Sequence, residues 1–204
     1  MSLAMWNQRF ADAGERFVFG EAPSHFVESQ APRLPAGSQI LSVADGEGRN
    51  SVYLAGLGHT VHAVEFSPVA LDKARLLAKR QGVAVRFEQA DVLTWDWPEG
   101  CYDAVLAVFI QFASPDERRG LFRRLAAALR PGGRLLLHGY TPQQLAYGTG
   151  GPPCAENMYT EALLREAFGS LEILELRTYE QHLSEGAGHS GRSALIDLVA
   201  RRPA

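Results

Sequence analysis

Two glycines and two carboxylates are the residues of this 204-residue chain whose types and spacing best suggest chemistry. Gly46 and Gly48 follow an apolar run at 40–44, and without Cβ atoms they permit a tight turn that a ligand can approach closely. Glu65 ends a second apolar run about 20 residues later, where a carboxylate can accept hydrogen bonds from both hydroxyls of a ribose. Asp91 follows a third run and could accept a hydrogen bond from the exocyclic amine of an adenine. The pattern therefore predicts one crevice, at the carboxyl ends of the strands, that suits an adenosine.

Strand and helix signals alternate through the first two thirds of the chain. Apolar runs predict buried strands, and capping residues, prolines and glycines bound the helices between them. The predicted strands are 40–44, 60–65, 83–87, 102–108 and 134–139, and the predicted helices are 50–57, 68–81 and one from 115 to the Pro131-Gly132-Gly133 turn. This alternation predicts an α/β fold, with a Rossmann-like, mostly parallel sheet and helices on both of its faces.

The N-terminal region is predicted to be helical. One helix is expected over 6–19, and a second over 24–30 with Ser24 as its cap. Three aromatic residues there are interpreted as packing residues, or alternatively as the roof of a ligand pocket: Phe10, Phe17 and Phe19. Residues 1–4, ahead of Met5, are interpreted as an added remnant outside the fold, and 5–36 as a helical cap on a single domain spanning 1–204.

The C-terminal region breaks the alternation. A loop rich in glycine and proline at 140–153 precedes a short helix predicted at 160–168. Strands at 171–179 and 193–200 then follow each other without a helix between them. Because the connection at 180–191 is short, the last strand is predicted to run antiparallel to the one before it.

Composition excludes several classes of protein. The formal net charge of −3 offers no general attraction to nucleic acid or to an anionic membrane surface. No apolar run approaches the ~20 residues that a membrane helix requires. The two cysteines, Cys101 and Cys154, lie far apart and have no metal-type spacing, which indicates a reducing cytoplasm. No metal site is predicted.

The glycine turn also half matches the dinucleotide fingerprint. Ser51 stands where that fingerprint has a third glycine or alanine, so a nicotinamide-dependent oxidoreductase is an alternative. Two features argue against it: no second mononucleotide-binding half follows, and the chain ends in a predicted antiparallel hairpin.

Five blocks in this order and spacing resemble the class I S-adenosylmethionine-dependent methyltransferases, and within them the small bacterial tellurite-resistance and thiopurine-methyltransferase-like group. The resemblance covers nearly the whole chain. The blocks are Gly46-Glu47-Gly48-Arg49-Asn50, Ala63-Val64-Glu65-Phe66-Ser67-Pro68, Ala90-Asp91-Val92, Tyr102-Asp103-Ala104-Val105 and Leu129-Arg130-Pro131-Gly132-Gly133. The resemblance implies a seven-stranded sheet with an antiparallel last strand. It also implies S-adenosyl-L-methionine as the cofactor and S-adenosyl-L-homocysteine as the product.

Cofactor contacts follow from the resemblance block by block. The turn at 44–48 would face the methionine part, Glu65 the ribose and Phe66 the adenine face. The implied cofactor-binding residues are Ala44, Asp45, Gly46, Gly48, Arg49, Glu65, Phe66, Asp91, Val92, Val108 and Phe109. Two residues depart from the family pattern, which usually has an acid where Ser42 stands and a glycine where Ala44 stands.

Candidates for handling the acceptor cluster after the fifth strand. Tyr140, Tyr147 and the turn at 149–152 are expected in one loop, and Glu185, His189 and Arg192 in the connection between the last two strands. The catalytic candidates are His189, which could orient or deprotonate an acceptor, and Tyr140. A structural role for His189 is the alternative, and Glu185 with His182 and His189 could be imagined as metal ligands.

The sequence thus predicts methyl transfer by in-line displacement to a small-molecule acceptor, and the family resemblance indicates a soft sulfur, selenium or tellurium nucleophile. The small-molecule expectation depends on the lack of an inserted substrate domain or a basic face. The alternatives are a nicotinamide-dependent oxidoreductase and a scaffold that binds S-adenosylmethionine without turnover. No nucleic-acid or membrane partner is expected, and the oligomeric state stays open.

Overall fold

The computed structural model describes residues 2–204 as one seven-stranded sheet with six α-helices around it. The helices are α1 (Leu3–Asp12), α2 (His25–Gln30), α3 (Arg49–Gly56), α4 (Pro68–Gln81), α5 (Pro115–Ala128) and α6 (Glu161–Ala167). The strands are β1 (Gln39–Val43), β2 (Thr60–Glu65), β3 (Arg86–Gln89), β4 (Tyr102–Val108), β5 (Leu129–Tyr140), β6 (Glu172–Glu185) and β7 (His189–Arg201).

The strand order is β3-β2-β1-β4-β5-β7-β6. Strands β1 to β5 pair in parallel, whereas β7 pairs antiparallel with both β5 and β6. This topology confirms the predicted fold class, including the antiparallel last strand. The order reverses direction at β1, so the carboxyl ends of β1, β2 and β4 flank a switch point, where ligands bind in open α/β sheets.

Alternating residues of the central strands form two hydrophobic layers. On one face, Leu41 and Val105 pack with buried side chains of α5 and α6. On the other face, Ile40 and Leu106 pack with residues of α2 and α3. Both faces are therefore covered, as the near-continuous apolar character of β1 and β4 predicts.

Helix ends follow the capping signals of the sequence. Ser67 accepts a hydrogen bond from the Ala70 amide at the start of α4, and Gly82 ends α4 in the left-handed conformation. Ser114 and Glu117 form a capping box at the start of α5. These caps set where α4 and α5 begin, directly after the loops that follow β2 and β4.

Several predicted boundaries were wrong. The first helix spans only Leu3–Asp12, because a turn and bend occupy 13–20 in place of a continuous helix over 6–19. The helix also includes two of the residues assigned to a remnant outside the fold, Leu3 and Ala4, and Ser2 caps it. Met1 lies outside the described residues.

The bounds of several later elements also need correction. The third strand is Arg86–Gln89 and not 83–87, and α5 ends at Ala128, so the Pro131-Gly132-Gly133 turn lies inside β5. The largest difference is at the end of the chain, where β6 and β7 extend until only residues 186–188 connect them.

Within residues 2–204, no helix combines the length and apolar character needed to span a bilayer.

Candidate active site

A cavity of about 420 Å³ opens above the carboxyl ends of β1, β2, β4 and β5. The segments that follow these strands form its walls, and the N-terminal region covers it. Ten of the residues predicted to bind cofactor contribute to the walls: Ala44, Asp45, Gly46, Arg49, Glu65, Phe66, Asp91, Val92, Val108 and Phe109. The two catalytic candidates, Tyr140 and His189, line it as well. The chain therefore brings these separated residues to one cavity, while the role of each stays a prediction.

The turn after β1 has unusual backbone geometry. Ala44 and Gly46 have φ angles of +50° and +63°, in the left-handed region that costs a residue with a Cβ atom. Gly48 has φ +88°, and a Cβ there would lie 2.7 Å from the Cβ of Ala74 in α4. Gly48 is not among the lining residues, so it permits close packing of α4 against the turn and does not face the cavity.

Glu65 is a buried acid held at the turn by backbone amides. Its Oε2 accepts a hydrogen bond from the Gly46 amide at 2.8 Å, and its Oε1 accepts one from the Ser67 amide at 2.8 Å. Burial raises the pKa of the carboxyl, and the amide donors of Ser67 and Gly46 oppose that rise. These bonds fix the carboxylate orientation, and each oxygen retains a second lone pair.

Asp45 is a second acid of the turn and is held by hydroxyl groups. Its Oδ1 accepts a hydrogen bond from Ser42 at 2.6 Å, and its Oδ2 accepts one from Ser51 at 2.5 Å. Burial raises the Asp45 pKa to about 6, and the two serine donors partly counter that rise. Ser42, at the position where the family usually has an acid, therefore supports the carboxylate of Asp45.

The loop after β3 presents Asp91 and Val92 to the same cavity. Asp91 Oδ1 accepts a hydrogen bond from the Leu93 amide at 2.9 Å, which orients its side chain. Val92 is buried in the core beneath the loop. Phe66, which follows Glu65 at the end of the neighbouring strand β2, also lines the cavity.

Glu47 links the turn to the N-terminal segment, a role that the sequence analysis missed. This side chain is 2% exposed, with Oε1 2.8 Å from Lys73 Nζ and Oε2 accepting from the Val18 amide at 2.7 Å. Lys73 Nζ also donates to the backbone oxygens of Phe10 and Arg16. A buried acid one residue after the cavity-facing Gly46 thus secures the covering segment.

Arg49 is buried and not a surface residue. Its Nη1 donates to the Phe19 carbonyl at 3.1 Å, and its Nη2 lies 2.8 Å from Glu185 Oε2 as an ion pair. The other oxygen of Glu185 accepts from the His25 amide at 3.1 Å. The ion pair joins the glycine turn to the tip of the β6–β7 hairpin.

Four aromatic side chains that line the cavity stand against one another. Ring centroids of His189 lie 4.0 Å from Phe109, 4.7 Å from Phe19 and 5.8 Å from Tyr140. Phe109 has a φ of +55° and donates its amide to the His138 carbonyl at 2.8 Å. The Phe109 and His189 rings meet edge to face.

The structure corrects the location of several acceptor-handling candidates. Glu185, His189 and Arg192 belong to the strands β6 and β7 and not to a loop, with Glu185 paired to His189. Tyr147 and Arg192 both contact Glu180 outside the cavity. Among residues 2–204 no cluster of three His, Cys, Asp or Glu side chains could hold a metal ion.

Burial governs the protonation of the two catalytic candidates. Desolvation, together with the charges of Arg49, His138 and Arg9, lowers the His189 pKa to about 2. Desolvation and the nearby Glu185 raise the Tyr140 pKa well above its usual value. His189 Nδ1 and the Tyr140 hydroxyl oxygen are enclosed with no hydrogen-bond partner among the described residues. Both side chains are therefore neutral at physiological pH.

Further lining residues were not predicted to contact a ligand. They come from α1, from the segment after Phe109 and from the loop before α6: Met5, Trp6, Arg9, Gln111, Phe112 and Pro153. Gly150, Gly151 and Pro152, of the turn predicted to handle the acceptor, line the cavity as well. The aromatic and charged mixture in α1 was the available signal, and Phe10 and Phe19 do line the cavity. Phe17 instead packs with Val52 and Leu77 in the core.

Parts of this chain are similar in sequence to known methyltransferases. Residues 40–133 match a methyltransferase domain family. A demethylmenaquinone methyltransferase of Thermus thermophilus is 35% identical over 111 residues, which are 52% of this chain and 49% of that protein. A 27-O-demethylrifamycin SV methyltransferase of Amycolatopsis mediterranei is 28% identical over 187 residues, 88% of this chain and 65% of that protein. The chain thus spans about half to two thirds of the length of these curated relatives.

Solved structures share the fold at low sequence identity. A structure described for the conversion of a disulfide bond into a thioacetal group during echinomycin biosynthesis has a TM-score of 0.77 and 21% identity. The match covers 98% of this chain and 92% of that one. TehB from Haemophilus influenzae has a TM-score of 0.73 and 17% identity, covering 97% and 67%. The domain match over residues 40–133 and the methyltransferase relatives agree with the resemblance of this sequence to the class I S-adenosylmethionine-dependent methyltransferases.

Proposed function

We propose that this protein transfers a methyl group from S-adenosylmethionine to a small-molecule acceptor with a soft nucleophilic atom, such as sulfur, selenium or tellurium. The observation that carries the proposal is the convergence of Gly46, Glu65 and Asp91 on one cavity. These three residues come from the ends of β1, β2 and β3, and only the fold brings them together. The cavity volume of about 420 Å³ is within the usual range for ligand sites.

The residues present fit the adenosyl part of this cofactor. Glu65 is oriented by two amides and can accept hydrogen bonds from ribose hydroxyls through its remaining lone pairs. Phe66 would lie along the adenine, and Asp91 and Val92 would meet its edge. In this arrangement Val108 and Phe109 would line the floor near the methyl group.

Asp45 offers the charge that the methionine part requires. Ser42 replaces the usual acid of the family, but it donates to Asp45, whose carboxylate lines the cavity three residues further on. A buried carboxylate with a pKa near 6 gains from a cationic partner, because an ammonium group offsets its desolvation. Asp45 is therefore our candidate for holding the cofactor ammonium, with the Ala44 to Gly46 backbone around it.

The acceptor side indicates a nucleophile that needs no strong base. A general base works best when its pKa is near the working pH. His189, with a pKa of about 2, is a poor proton acceptor, and Tyr140 stays protonated. A thiol, selenol or tellurol ionises more readily than an alcohol, so such an acceptor can arrive as the anion. His189 and Tyr140 then act by positioning the acceptor.

Positioning and exclusion of water are the contributions of this chain to the reaction. The bound cofactor would supply a methyl group on a positively charged sulfur. In the transfer, the acceptor lone pair would form the new bond to the methyl carbon while the bond from that carbon to sulfur breaks, and its electron pair would pass to the sulfur, which becomes a neutral thioether. Alignment of two reactants can supply on the order of 7 to 11 kcal/mol of the acceleration. The rings of Phe19, Phe109 and His189 would hold the acceptor in a dry space.

Direct binding measurements test the cofactor assignment. Titration calorimetry with S-adenosylmethionine, S-adenosylhomocysteine and NADH should show binding of the first two alone. Glu65→Gln should weaken S-adenosylhomocysteine binding about tenfold or more, since a charged hydrogen bond contributes ~1.5–3 kcal/mol. Glu99→Gln, at an exposed position away from the cavity, is the matched control. Binding of NADH alone would overturn the proposal.

A labelled-methyl assay tests transfer. We expect label in the thioether of a small thiol or in methylated selenium or tellurium products, and none on protein. Binding without transfer to any acceptor would indicate a scaffold instead of an enzyme. Transfer to alcohols but not to thiols would refute the soft-acceptor part alone.

The cellular setting follows from the thiols and the charge. Cys101 and Cys154 are both free, which agrees with a reducing cytoplasm. A net charge of −3 agrees with a small molecule, and not a nucleic acid, as the acceptor.

A further inference from the structure

Arg9 is a positively charged residue of the cavity wall that forms no ion pair within residues 2–204. Its guanidinium carbon lies 5.3 Å from the ring centroid of Trp6 and 5.2 Å from that of Phe19. All three residues line the cavity, and Arg9 itself is exposed to solvent. Within residues 2–204 no carboxylate lies within 4.0 Å of its nitrogens, so two aromatic rings and no acid hold the group in place.

The other charges of the cavity wall are already engaged. Arg49 forms its ion pair with Glu185. On the opposite side, Glu65 accepts from two amides, and Asp45 accepts from two serines. Arg9 is therefore the charge of the covering segment that has room for an anion.

A continuous series of rings leads from the floor of the cavity to Arg9. Phe109, after β4, contacts His189, which contacts Phe19, which in turn contacts the guanidinium of Arg9. Planar aromatic surfaces favour flat, apolar ligands, because rings stack or meet edge to face. A flat acceptor lying along these rings would extend from the floor toward the positive charge.

The charges of the same region also favour an anionic group near Arg9. Arg9 and Arg49 both disfavour protonation of His189, so their positive field reaches the ring. The His189 and Tyr140 side chains that share the wall are neutral. An anionic group beside Arg9 meets attraction from its guanidinium, while the nearby charges of Arg49 and Glu185 are paired with each other.

We propose that the acceptor is a flat aromatic molecule with an anionic group, such as a carboxylate, separate from the atom that is methylated, and that Arg9 binds this group. Arginine suits the task, because its planar fork pairs with a carboxylate through two hydrogen bonds and also stacks on aromatic rings. This inference rests on the proposed function, since the reactive atom must reach the cofactor's methyl group.

Calorimetry with two thiols of similar size tests the proposal. 4-Mercaptobenzoate and 4-methylbenzenethiol are titrated, under reducing conditions, into the full chain saturated with S-adenosylhomocysteine. Wild type should bind the carboxylate compound about tenfold more tightly, a preference typical of one charged hydrogen-bonded contact. Arg9→Gln should remove the preference, and added salt should weaken it.

Arg16→Gln is the matched control, because Arg16 is exposed in the same N-terminal segment and does not line the cavity. It should keep the wild-type preference. Equal affinity of wild type for the two thiols, binding of neither thiol, or a preference that persists in Arg9→Gln overturns the inference. Failure to bind S-adenosylhomocysteine is a separate result, which would refute the proposed function itself.

Discussion

Replacing Asp45 by asparagine should stabilise the fold and weaken the binding of S-adenosylmethionine. The carboxyl is buried and its pKa is raised from 3.8 to about 6. One pH unit between folded and unfolded pKa values corresponds to about 1.4 kcal/mol. The ionised Asp45 therefore costs about 3 kcal/mol at pH 7 relative to the unfolded chain, and an amide avoids this cost.

The sign of the pH dependence follows from the direction of this change. A carboxyl with a raised pKa favours the folded state at pH values below its unfolded pKa, and this contribution is lost as pH rises through the folded pKa. For Asp45 the loss falls between about pH 4 and pH 6. The stabilisation by Asp45→Asn should therefore reach about 3 kcal/mol at pH 7 and about half of that at pH 5.

Urea unfolding of wild type and Asp45→Asn at both pH values measures the difference. Glu65 also has a raised pKa, and its charge contributes to the rise at Asp45, so relief of this repulsion is part of the expected difference. Asp96→Asn is the matched control, because Asp96 is exposed and its replacement should change stability by less than about 0.5 kcal/mol.

Calorimetry completes this test. If Asp45 holds the cofactor ammonium, Asp45→Asn should bind S-adenosylmethionine about tenfold or more weakly at pH 7. The reasoning is refuted if the variant is less stable at pH 7 than wild type, or if its advantage does not shrink at pH 5. Unchanged affinity would refute the ammonium role while leaving the burial argument intact.

Three further predictions concern the turn, the covering segment and the acceptor side. Ala44→Gly should raise the free energy of unfolding by about 1 kcal/mol, since glycine adopts the φ of +50° without the Cβ clash, and urea unfolding measures it. Glu47→Gln should lower the free energy of unfolding by about 3–5 kcal/mol, because it leaves the charge of Lys73 without its acidic partner inside the protein. Thermal unfolding, together with limited proteolysis of residues 3–20, measures this loss. The pH profile of methyl transfer should show no inflection from His189 between pH 5 and pH 9, and His189→Asn should keep the wild-type profile at a lower rate.

Each of these has a contrasting result or control. Ala44→Val should destabilise, because a branched side chain is strained at a positive φ. Asp72→Asn breaks an exposed ion pair with Arg75 and should cost less than about 1 kcal/mol, unlike Glu47→Gln. An inflection near pH 6 that disappears in His189→Asn would show that His189 titrates in the active state, contrary to the burial argument.

The sequence was sufficient to predict the central elements because their signals are local. The strands at 60–65 and 102–108 were predicted to the residue, and Ser67 and Gly82 bound α4 as expected. Strand ends in a parallel sheet share one edge, so the convergence of the glycine turn, Glu65 and Asp91 follows once the strands are known. The cofactor side of the cavity was accordingly predictable.

The covering side was not predictable, because it depends on contacts between distant residues. Glycines at 186, 188 and 191 favoured a loop between the last strands, yet Glu185 and His189 pair within an extended hairpin. The Gly188 amide donates to the Val18 carbonyl, and a Cβ on Gly188 would lie 2.5 Å from the Phe19 ring. The hairpin glycines therefore serve close approach to the N-terminal segment, a reason that is invisible until both are placed.

The structure suggests that cofactor binding and closure of the cavity depend on the same turn. Asp45 and Gly46 face the cavity, while the next residue, Glu47, accepts from the amides of Val18 and Phe19. Arg49 then joins the Phe19 carbonyl to Glu185 at the hairpin. The turn and the covering segment are therefore bonded to each other through Glu47 and Arg49. The strained backbone of Ala44 and the buried charge of Asp45 thus destabilise the fold at the proposed binding site. Destabilising features of a fold are expected to persist at such sites.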